Sequence, residues 1–264
     1  MNGQWRIFPL RLILATARTQ VRMAVRSIED LTFLMVMPLQ TLVAMAILVE
    51  AGRLDLAGYA LTASLLFTVG QMGFFVSSEI VSRDRSHQVL ELLVATPSPY
   101  FILLGTRTLI MTSLGLVGFV ESWLIARFVF GVHVVVYHPG ILALTLVATA
   151  LAGGGTAILT AALFSLARTV RTLQNAVNGP FYLLGGVLVP VTFLPAWLQP
   201  VSPFIFFYWS ANLVRDSLEA PVLHDVAWRL AALLFLGLAA AVGGGLVLVR
   251  MLYQLRREGR LGLT

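Results

Sequence analysis

The chain has 264 residues, of which 58% are hydrophobic and only 11% are charged, about half the charged fraction of a soluble domain. Its formal net charge of +6 arises without any lysine, which excludes a Walker A nucleotide site, and cysteine is absent, which excludes disulfides and thiolate metal sites. Runs of roughly twenty apolar residues are each long enough to cross about 30 Å of hydrocarbon. The composition therefore predicts an all-α, polytopic membrane protein that forms one domain over residues 1–264.

The first predicted element is an amphipathic helix within residues 1–28. At 100° per residue, its arginines share a narrow stripe and its large apolar residues take much of the other side. The stripe consists of Arg11, Arg18, Arg22 and Arg26, and the apolar side of Leu10, Ile13, Leu14, Val21, Val25 and Ile28. This pattern is typical of a helix that lies in the membrane interface near anionic headgroups. A simple positively charged anchor ahead of the first span is the alternative.

Six membrane spans are predicted from the apolar runs. They cover residues 31–49, 59–80, 101–130, 141–166, 173–194 and 226–249. The third is too long for one perpendicular crossing, so we expect it to tilt or to extend beyond the hydrocarbon. Arginines cluster before the first span, after the second, after the fourth and after the sixth. By the positive-inside rule, both termini and the loop at residues 81–100 are expected in the cytoplasm, for a protein of the inner or plasma membrane.

Residues 83–97 read RDRSHQVLELLVATP and follow the second span. Apolar residues recur there with helical spacing, at Val89, Leu90, Leu92 and Leu93. The polar positions are Asp84, Arg85, His87, Gln88 and Glu91. Pro97 and Pro99 end the predicted helix, because proline lacks the donor N–H and restricts the residue before it. A short amphipathic helix outside the bilayer fits a docking element for a cytoplasmic partner. The same face would also fit against the protein's own spans or against lipid.

Few polar residues lie within the predicted spans. Glu121 is near the middle of the third span, where an ionised carboxylate facing lipid is costly, so it should face a partner or a cavity. A role in a pathway or gate, a structural hydrogen bond, and a position outside the span through a misplaced boundary are all open for it. Gln71, Asn175 and Asn178 could line a polar seam or join helices by hydrogen bonds. No residues are spaced as the ligands of a metal ion.

The segment at residues 195–225 is not expected to form one continuous span. Prolines recur through it and just before it, at Pro190, Pro195, Pro200 and Pro203, among many aromatic residues. Non-helical backbone at membrane depth must be shielded by protein or water, so we expect this segment to pack against spans. Arg215 and Asp216 are expected at its outer rim as a solvated surface pair.

The stretch VLELLVATPSPYFILLGTRTL resembles the segment of type-2 ABC exporter permeases in which a short coupling helix precedes the third span. In that family the helix reads roughly glycine-threonine-leucine-glutamate, two or three leucines and threonine-proline, followed by a glycine and a basic residue. The matching residues are Leu90, Glu91, Leu92, Leu93, Thr96, Pro97, Gly105 and Arg107. Gln88 and Val89 stand where the glycine-threonine pair is usual. Residues 195–225 resemble the family's extracellular re-entrant helices, and the order of elements along the chain also matches.

The resemblance implies a permease subunit that is not itself an enzyme and that holds no cofactor. A separate cytoplasmic ATPase subunit would bind ATP and Mg²⁺, and a second copy of the permease, or a related chain, would complete the pathway among membrane lipids. The implied ATPase-contact residues of the coupling helix are Asp84, Arg85, His87, Leu90, Glu91 and Leu93. The implied activity is export of an amphipathic or lipophilic cargo, such as a drug, a natural product, a lipid or a lipid-linked glycan.

Two other transport classes are open from the sequence. An ion-gradient-driven secondary transporter often shows corresponding broken spans in two halves, whereas this chain has one broken segment and no convincing repeat. An ABC permease of haem or cytochrome biogenesis is a closer alternative, although its coupling segment differs. An intramembrane enzyme is disfavoured, because the chain has neither a G-x-S-x-G elbow nor an H-E-x-x-H pair.

Overall fold

The computed structural model of the chain describes residues 8–86, 100–164 and 170–258, and within these ranges it is helical and contains no strand. The α-helices are α1 (Phe8–Arg26), α2 (Ile28–Glu50), α3 (Ala57–Gly70), α4 (Ser77–Ser86), α5 (Tyr100–Gly115), α6 (Val117–Phe128), α7 (Pro139–Phe164), α8 (Val170–Leu184), α9 (Phe206–Glu219) and α10 (Val226–Glu258). The helical stretches long and apolar enough to cross a membrane are Asp30–Glu50, Leu54–Val81, Tyr100–Phe128, Pro139–Phe164 and Val226–Met251. In chain order, we call them the first, second, third, fourth and last spans. They confirm the prediction of an all-α membrane protein.

One continuous helix over residues 173–194 is not found. α8 ends at Leu184, ten residues before the predicted end of the span. Gly186 ends the helix with φ +67, and the N–H of Val187 bonds to the carbonyl of Tyr182 across the turn. This left-handed cap favours glycine, because a Cβ is disfavoured at that φ. The described ranges contain five candidate spans, and a sixth span in this part of the chain stays a prediction.

The second and third spans depart from regular α-helix where they approach each other. The third span has a one-residue irregularity at Leu116, between α5 and α6. Gly115 allows the close approach, since a Cβ there would lie only 2.7 Å from the Cα of Val69 on the second span. The second span contains a π-helical segment, Gln71–Val76, between α3 and α4. Such π segments are frequent at functional sites.

The fourth span, α7, is the central helix of the bundle. It packs most extensively against α10 and also contacts α4, α5 and α9. Small residues let these backbones meet, since a Cβ on Gly155 would collide with the carbonyl oxygen of Gly237 on α10. A Cβ on Gly244 would likewise lie 2.6 Å from the Cα of Leu159. The span glycines therefore serve close helix packing, as small residues do in other membrane bundles.

An aromatic cluster joins the second span to α8 and α9. The rings of Tyr182 and Phe207 stack with centroids 5.2 Å apart, and Phe74 meets Phe207 edge to face at 5.8 Å. The Tyr182 hydroxyl donates to the carbonyl of Phe67 at 3.2 Å. Before α9 the chain forms only the short 3-10 turns Val191–Phe193 and Gln199–Phe204. In the structure this segment is interrupted by turns and packs against the spans, and its depth in the membrane stays a prediction.

Within residues 1–28, where an amphipathic helix is predicted, the structure has α1. Its stripe of arginines is exposed, and so are several of its large apolar residues, namely Leu10, Ile13, Leu14, Val21 and Val25. Gln20 and Ala24 are buried instead, and α1 packs on α5 and α2. Ser27 separates α1 from α2 and caps α2, because its Oγ accepts the N–H of Asp30 at 3.2 Å. The position of α1 in the membrane interface stays a prediction.

Candidate functional site

A buried polar cluster forms where the chain leaves α4 for residues 87–99 and returns at α5. Arg107 Nη1 donates to both carboxylate oxygens of Asp84, at 2.7 and 3.0 Å. The Tyr100 hydroxyl donates to Asp84 Oδ2 at 3.2 Å, and Arg107 Nε donates to Gln20 Oε1 at 3.0 Å. We name Gln20, Asp84, Tyr100 and Arg107 the polar junction. It connects three helices, α1, α4 and α5.

The polar junction is shielded from solvent. The side chains of Asp84 and Arg107 are only 10% and 16% exposed, and Gln20 is buried as well. The Asp84 carboxylate, expected to contact an ATPase subunit, is thus directed at groups of its own chain. Neither Gln20 nor Tyr100 is among the residues that the sequence singles out. Gln20 looks like one more polar position of an amphipathic helix, and Tyr100 looks like the first residue of an apolar span.

The remaining predicted contact residues fall outside the described structure. α4 is helical up to Ser86, so the predicted helix at residues 83–97 begins as a continuation of the second span. Arg85 belongs to α4, but its side chain is not described. His87, Leu90, Glu91 and Leu93 lie within residues 87–99, outside the described ranges. Their role as contacts stays a prediction.

The three span amides have different surroundings in the structure. Gln71 is buried and begins the π-helical segment of the second span. Asn178 lines a small cavity with Phe74 and Phe181, and its Oδ1 is buried without a hydrogen-bond partner among the described residues. Asn175 is exposed on α8. Gln71 and Asn178 therefore belong to the interior of the bundle, whereas Asn175 is available to a neighbouring molecule.

Glu121 lies on α6 and is partly buried. Its Oε2 atom is buried and has no hydrogen-bond partner within the described part of the chain, so a structural hydrogen bond is not observed for that atom. The adjacent Ser122 belongs to a hydroxyl cluster from three spans. Thr41 Oγ1 lies 2.7 Å from Ser64 Oγ and 3.1 Å from Ser122 Oγ. The sequence does not predict this cluster. Serine and threonine hydroxyls in a span often bond carbonyls of their own helix, so their presence does not indicate contact between spans.

The prediction that Arg215 and Asp216 form a solvated surface pair is wrong. Arg215 is buried, its Nη2 donates to the carbonyls of Gly186 at 2.7 Å and Val187 at 3.2 Å, and its Cζ lies 4.2 Å from the centre of the Tyr59 ring. Asp216 pairs instead with Arg229 on α10, at 2.7 Å. Consecutive residues of a helix point about 100° apart, so they do not face each other. Burial lowers the pKa of Arg215 from its ordinary value, and the fields of nearby Tyr59 and carboxylates oppose this effect.

A cavity of about 840 Å³ opens between α2, α3 and the turn that follows α8. Its walls are mainly apolar, and its polar positions are Gln40, Arg53, Tyr59, Ser64 and Thr192. The cavity lies at the end of the bundle opposite to the polar junction, since Arg53 and Tyr59 begin the second span and Asp84 follows its end. Its volume is within the range of ligand pockets in proteins. Apolar walls with a few polar groups suit an amphipathic molecule.

Comparison with known families gives one result for this chain. The family model described as ABC-2 type transporter matches residues 11–218, which is most of the sequence. The matched range begins in α1 and ends in α9, so it includes the polar junction and residues 87–99. No curated protein matches the chain.

Proposed function

The chain belongs to the ABC-2 type transporter family, and on that premise we propose that it is the permease subunit of an exporter. The family assigns it to the membrane part of an ABC transporter, which works with an ATP-binding subunit. We place ATP and Mg²⁺ on that separate subunit, and both termini with residues 87–99 on the cytoplasmic side. A second copy of the chain, or a related permease, completes the pathway. Exposed residues such as Asn175 on α8 are open to that partner.

The single observation that supports this function most directly is the position of the polar junction. Residues 87–99 leave α4 and return to α5 at one point, because Tyr100 and Arg107 both bond to Asp84. A docking segment must be firmly attached to the spans if it is to transmit force. We assign Arg85, His87, Leu90, Glu91 and Leu93 to the contact with the ATPase subunit. Asp84 then anchors this segment within the permease instead of touching the partner.

Reversing the charge of Glu91 tests this contact. We expect Glu91→Arg to reduce co-purification with a co-expressed ATP-binding subunit, or to abolish transport, while membrane insertion is retained. A reversed charge within a docked face costs several kcal/mol through like-charge repulsion and desolvation. Glu50→Arg is the control, because Glu50 is exposed at the end of the first span that lies away from the polar junction. Normal association together with normal transport in Glu91→Arg would remove residues 87–99 from the ATPase contact.

The cavity beside α2 and α3 supports an amphipathic or lipophilic cargo. Ala44, Ala63 and Phe67 give it an apolar wall, and Arg53 and Tyr59 place polar groups toward its outer end. We propose that cargo occupies this cavity on its way to the outer leaflet. Drugs, natural products, lipids and lipid-linked glycans all have this combination of an apolar body and a polar group.

Filling the cavity with an indole ring tests the cargo proposal. We expect Ala63→Trp to weaken the binding of a nitroxide-labelled lysophospholipid to the purified chain by about tenfold, which corresponds to about 1.4 kcal/mol. Electron paramagnetic resonance of the bound probe measures the affinity. Ala46→Trp is the control, because Ala46 is exposed on α2 outside the cavity wall. Equal binding to both variants would mean that the cavity does not hold a single-chain amphiphile.

A further inference from the structure

We propose that Gln20, Asp84 and Arg107 are positioning residues that couple residues 87–99 to α1. Through these side chains, a displacement of the docking segment moves α1 together with the start of the third span. The inference rests on the proposed function, because the ATPase subunit supplies the displacement. It adds to that function a defined route by which the motion enters the membrane helices.

Arg107 is the branch point of this route. Its Nη1 atom bonds to the two carboxylate oxygens of Asp84, while its Nε atom bonds to Gln20 on α1. The planar guanidinium fixes the directions of these bonds relative to each other. A shift of α4 at Asp84 therefore changes the position of Gln20 as well. One side chain thereby holds Asp84 and Gln20, which are 23 and 87 positions from Arg107 in the sequence.

The junction is built to resist separation. Asp84 lies two residues before the end of α4, and Tyr100 begins α5, so the helices on the two sides of residues 87–99 meet in one cluster. The charges of Asp84 and Arg107 are largely removed from water. Pulling apart a buried ion pair leaves an uncompensated charge, whereas a solvated pair separates easily. Force on the segment is therefore passed to the helices rather than absorbed by side-chain motion.

α1 has a second attachment one turn after Gln20. Ala24 packs with Met72 and Met111, and both methionine side chains are fully buried. Met72 belongs to the π-helical segment of the second span, where α-helical hydrogen bonding is already interrupted. α1 thus shares a buried cluster with this irregular segment of the second span, and it is linked to the end of that span through Arg107. Motion of α1 consequently reaches the interior of the second span.

Two substitutions separate the α1 link from the ion pair. Arg107→Lys keeps a positive charge for Asp84, but its single ammonium cannot reproduce the two directed bonds of the guanidinium. Gln20→Leu removes the acceptor on α1 and leaves the ion pair intact. We expect both variants to weaken the coupling of α1 equally. The double variant should be no worse than either alone, because each of the three variants breaks the same connection between Arg107 and Gln20.

The experiment follows α1 directly in the full chain with its ATP-binding subunit. The chain has no cysteine, so Ala15→Cys gives one spin-labelling site at an exposed position of α1. We expect ATP and Mg²⁺ to change the spectrum of this label in the otherwise unaltered chain. Arg107→Lys and Gln20→Leu should each reduce that change by about fivefold, without loss of the bound ATPase subunit.

Arg229→Lys is the matched control, because Arg229 has the same exposure as Arg107 and an equally short ion pair at the other end of the bundle. It should leave the nucleotide response of the α1 label unchanged. A full response in Arg107→Lys and Gln20→Leu would overturn the inference while leaving the proposed function intact. Failure of the unaltered chain to hold an ATP-binding subunit would overturn the proposed function, and the inference with it.

Discussion

Replacing Arg107 with methionine is expected to lower the free energy of unfolding by about 3–5 kcal/mol. The substitution removes the cation from a pair whose side chains are nearly buried, and it leaves the Asp84 carboxylate inside the bundle without that countercharge. The cost of a stranded buried charge is much larger than the net contribution of the intact pair. Denaturant unfolding of the purified full chain in detergent measures the loss.

Two further variants show whether the stranded charge is the cause. Arg53→Met removes the same type of side chain from its pair with Asp55, whose members are 58% and 60% exposed, and should destabilise the chain far less than Arg107→Met, because solvent screens an exposed pair. Asp84→Asn combined with Arg107→Met should be less destabilised than Arg107→Met alone, because no carboxylate is then stranded. Equal losses at Arg53 and Arg107, or no relief in the double variant, would contradict this account.

The Arg107 pair also marks the limit of local sequence reasoning. The i,i+4 spacing of Glu79 and Arg83 predicts an ion pair from helix geometry alone, and the structure has it at 3.0 Å. Asp84 follows Arg83 directly, yet its partner is 23 residues away on another helix. No periodicity connects these positions. The family resemblance identifies Arg107 as a motif residue, but its bonds to Asp84 and Gln20 come only from the tertiary fold.

Hydropathy predicts the spans well where one apolar run corresponds to one helix. The first, second, third, fourth and last spans occur close to their predicted positions, because a run of about twenty apolar residues must be buried in lipid or protein. The run at residues 173–194 is also mainly apolar, but it does not form one continuous helix. Gly186 adopts a left-handed φ and ends α8. Hydropathy depends on the polarity of the residues and not on their backbone angles, so it predicts one helix for this run.

The contact residues of the docking segment are a different case. Leu90, Glu91 and Leu93 are predicted from helical spacing and from the family motif, and they lie outside the described residues. The described neighbours fix where the segment is attached, at Asp84 and Tyr100, but not which face it presents. The family match supports a partner subunit, and the Glu91→Arg experiment decides whether this segment meets it.

Arg215 shows why a charged residue near a span end is hard to place from sequence. Next to Asp216, it looks like half of a surface pair. On α9, however, its side chain is directed into the bundle, where the cap of α8 presents the free carbonyls of Gly186 and Val187. These carbonyls follow the C-terminal end of α8, and the negative end of the helix dipole makes a cation favourable there. Neither the α8 cap nor the approach of Tyr59 can be predicted from the local pattern.

Replacing Arg215 with methionine is therefore expected to destabilise this end of the bundle. The variant loses charge-assisted hydrogen bonds to the α8 cap and the stacking on Tyr59, which together are worth about 2–4 kcal/mol. The turn at Gly186 should then exchange its backbone hydrogens faster, because the guanidinium no longer holds its carbonyl. Hydrogen exchange followed by mass spectrometry measures the turn, and denaturant unfolding measures the total loss.

The neighbouring cation supplies the comparison that makes this result specific. Arg229→Met breaks the pair with Asp216, whose carboxylate is 40% exposed, so it should cost less than about 1 kcal/mol and leave exchange at Gly186 unchanged. Arg215→Lys should fall between these variants, since an ammonium can bond one carbonyl but does not present the flat face that covers Tyr59. If Arg215→Met and Arg229→Met had equal effects on the turn, Arg215 would not be what fixes the end of α8 against the second span.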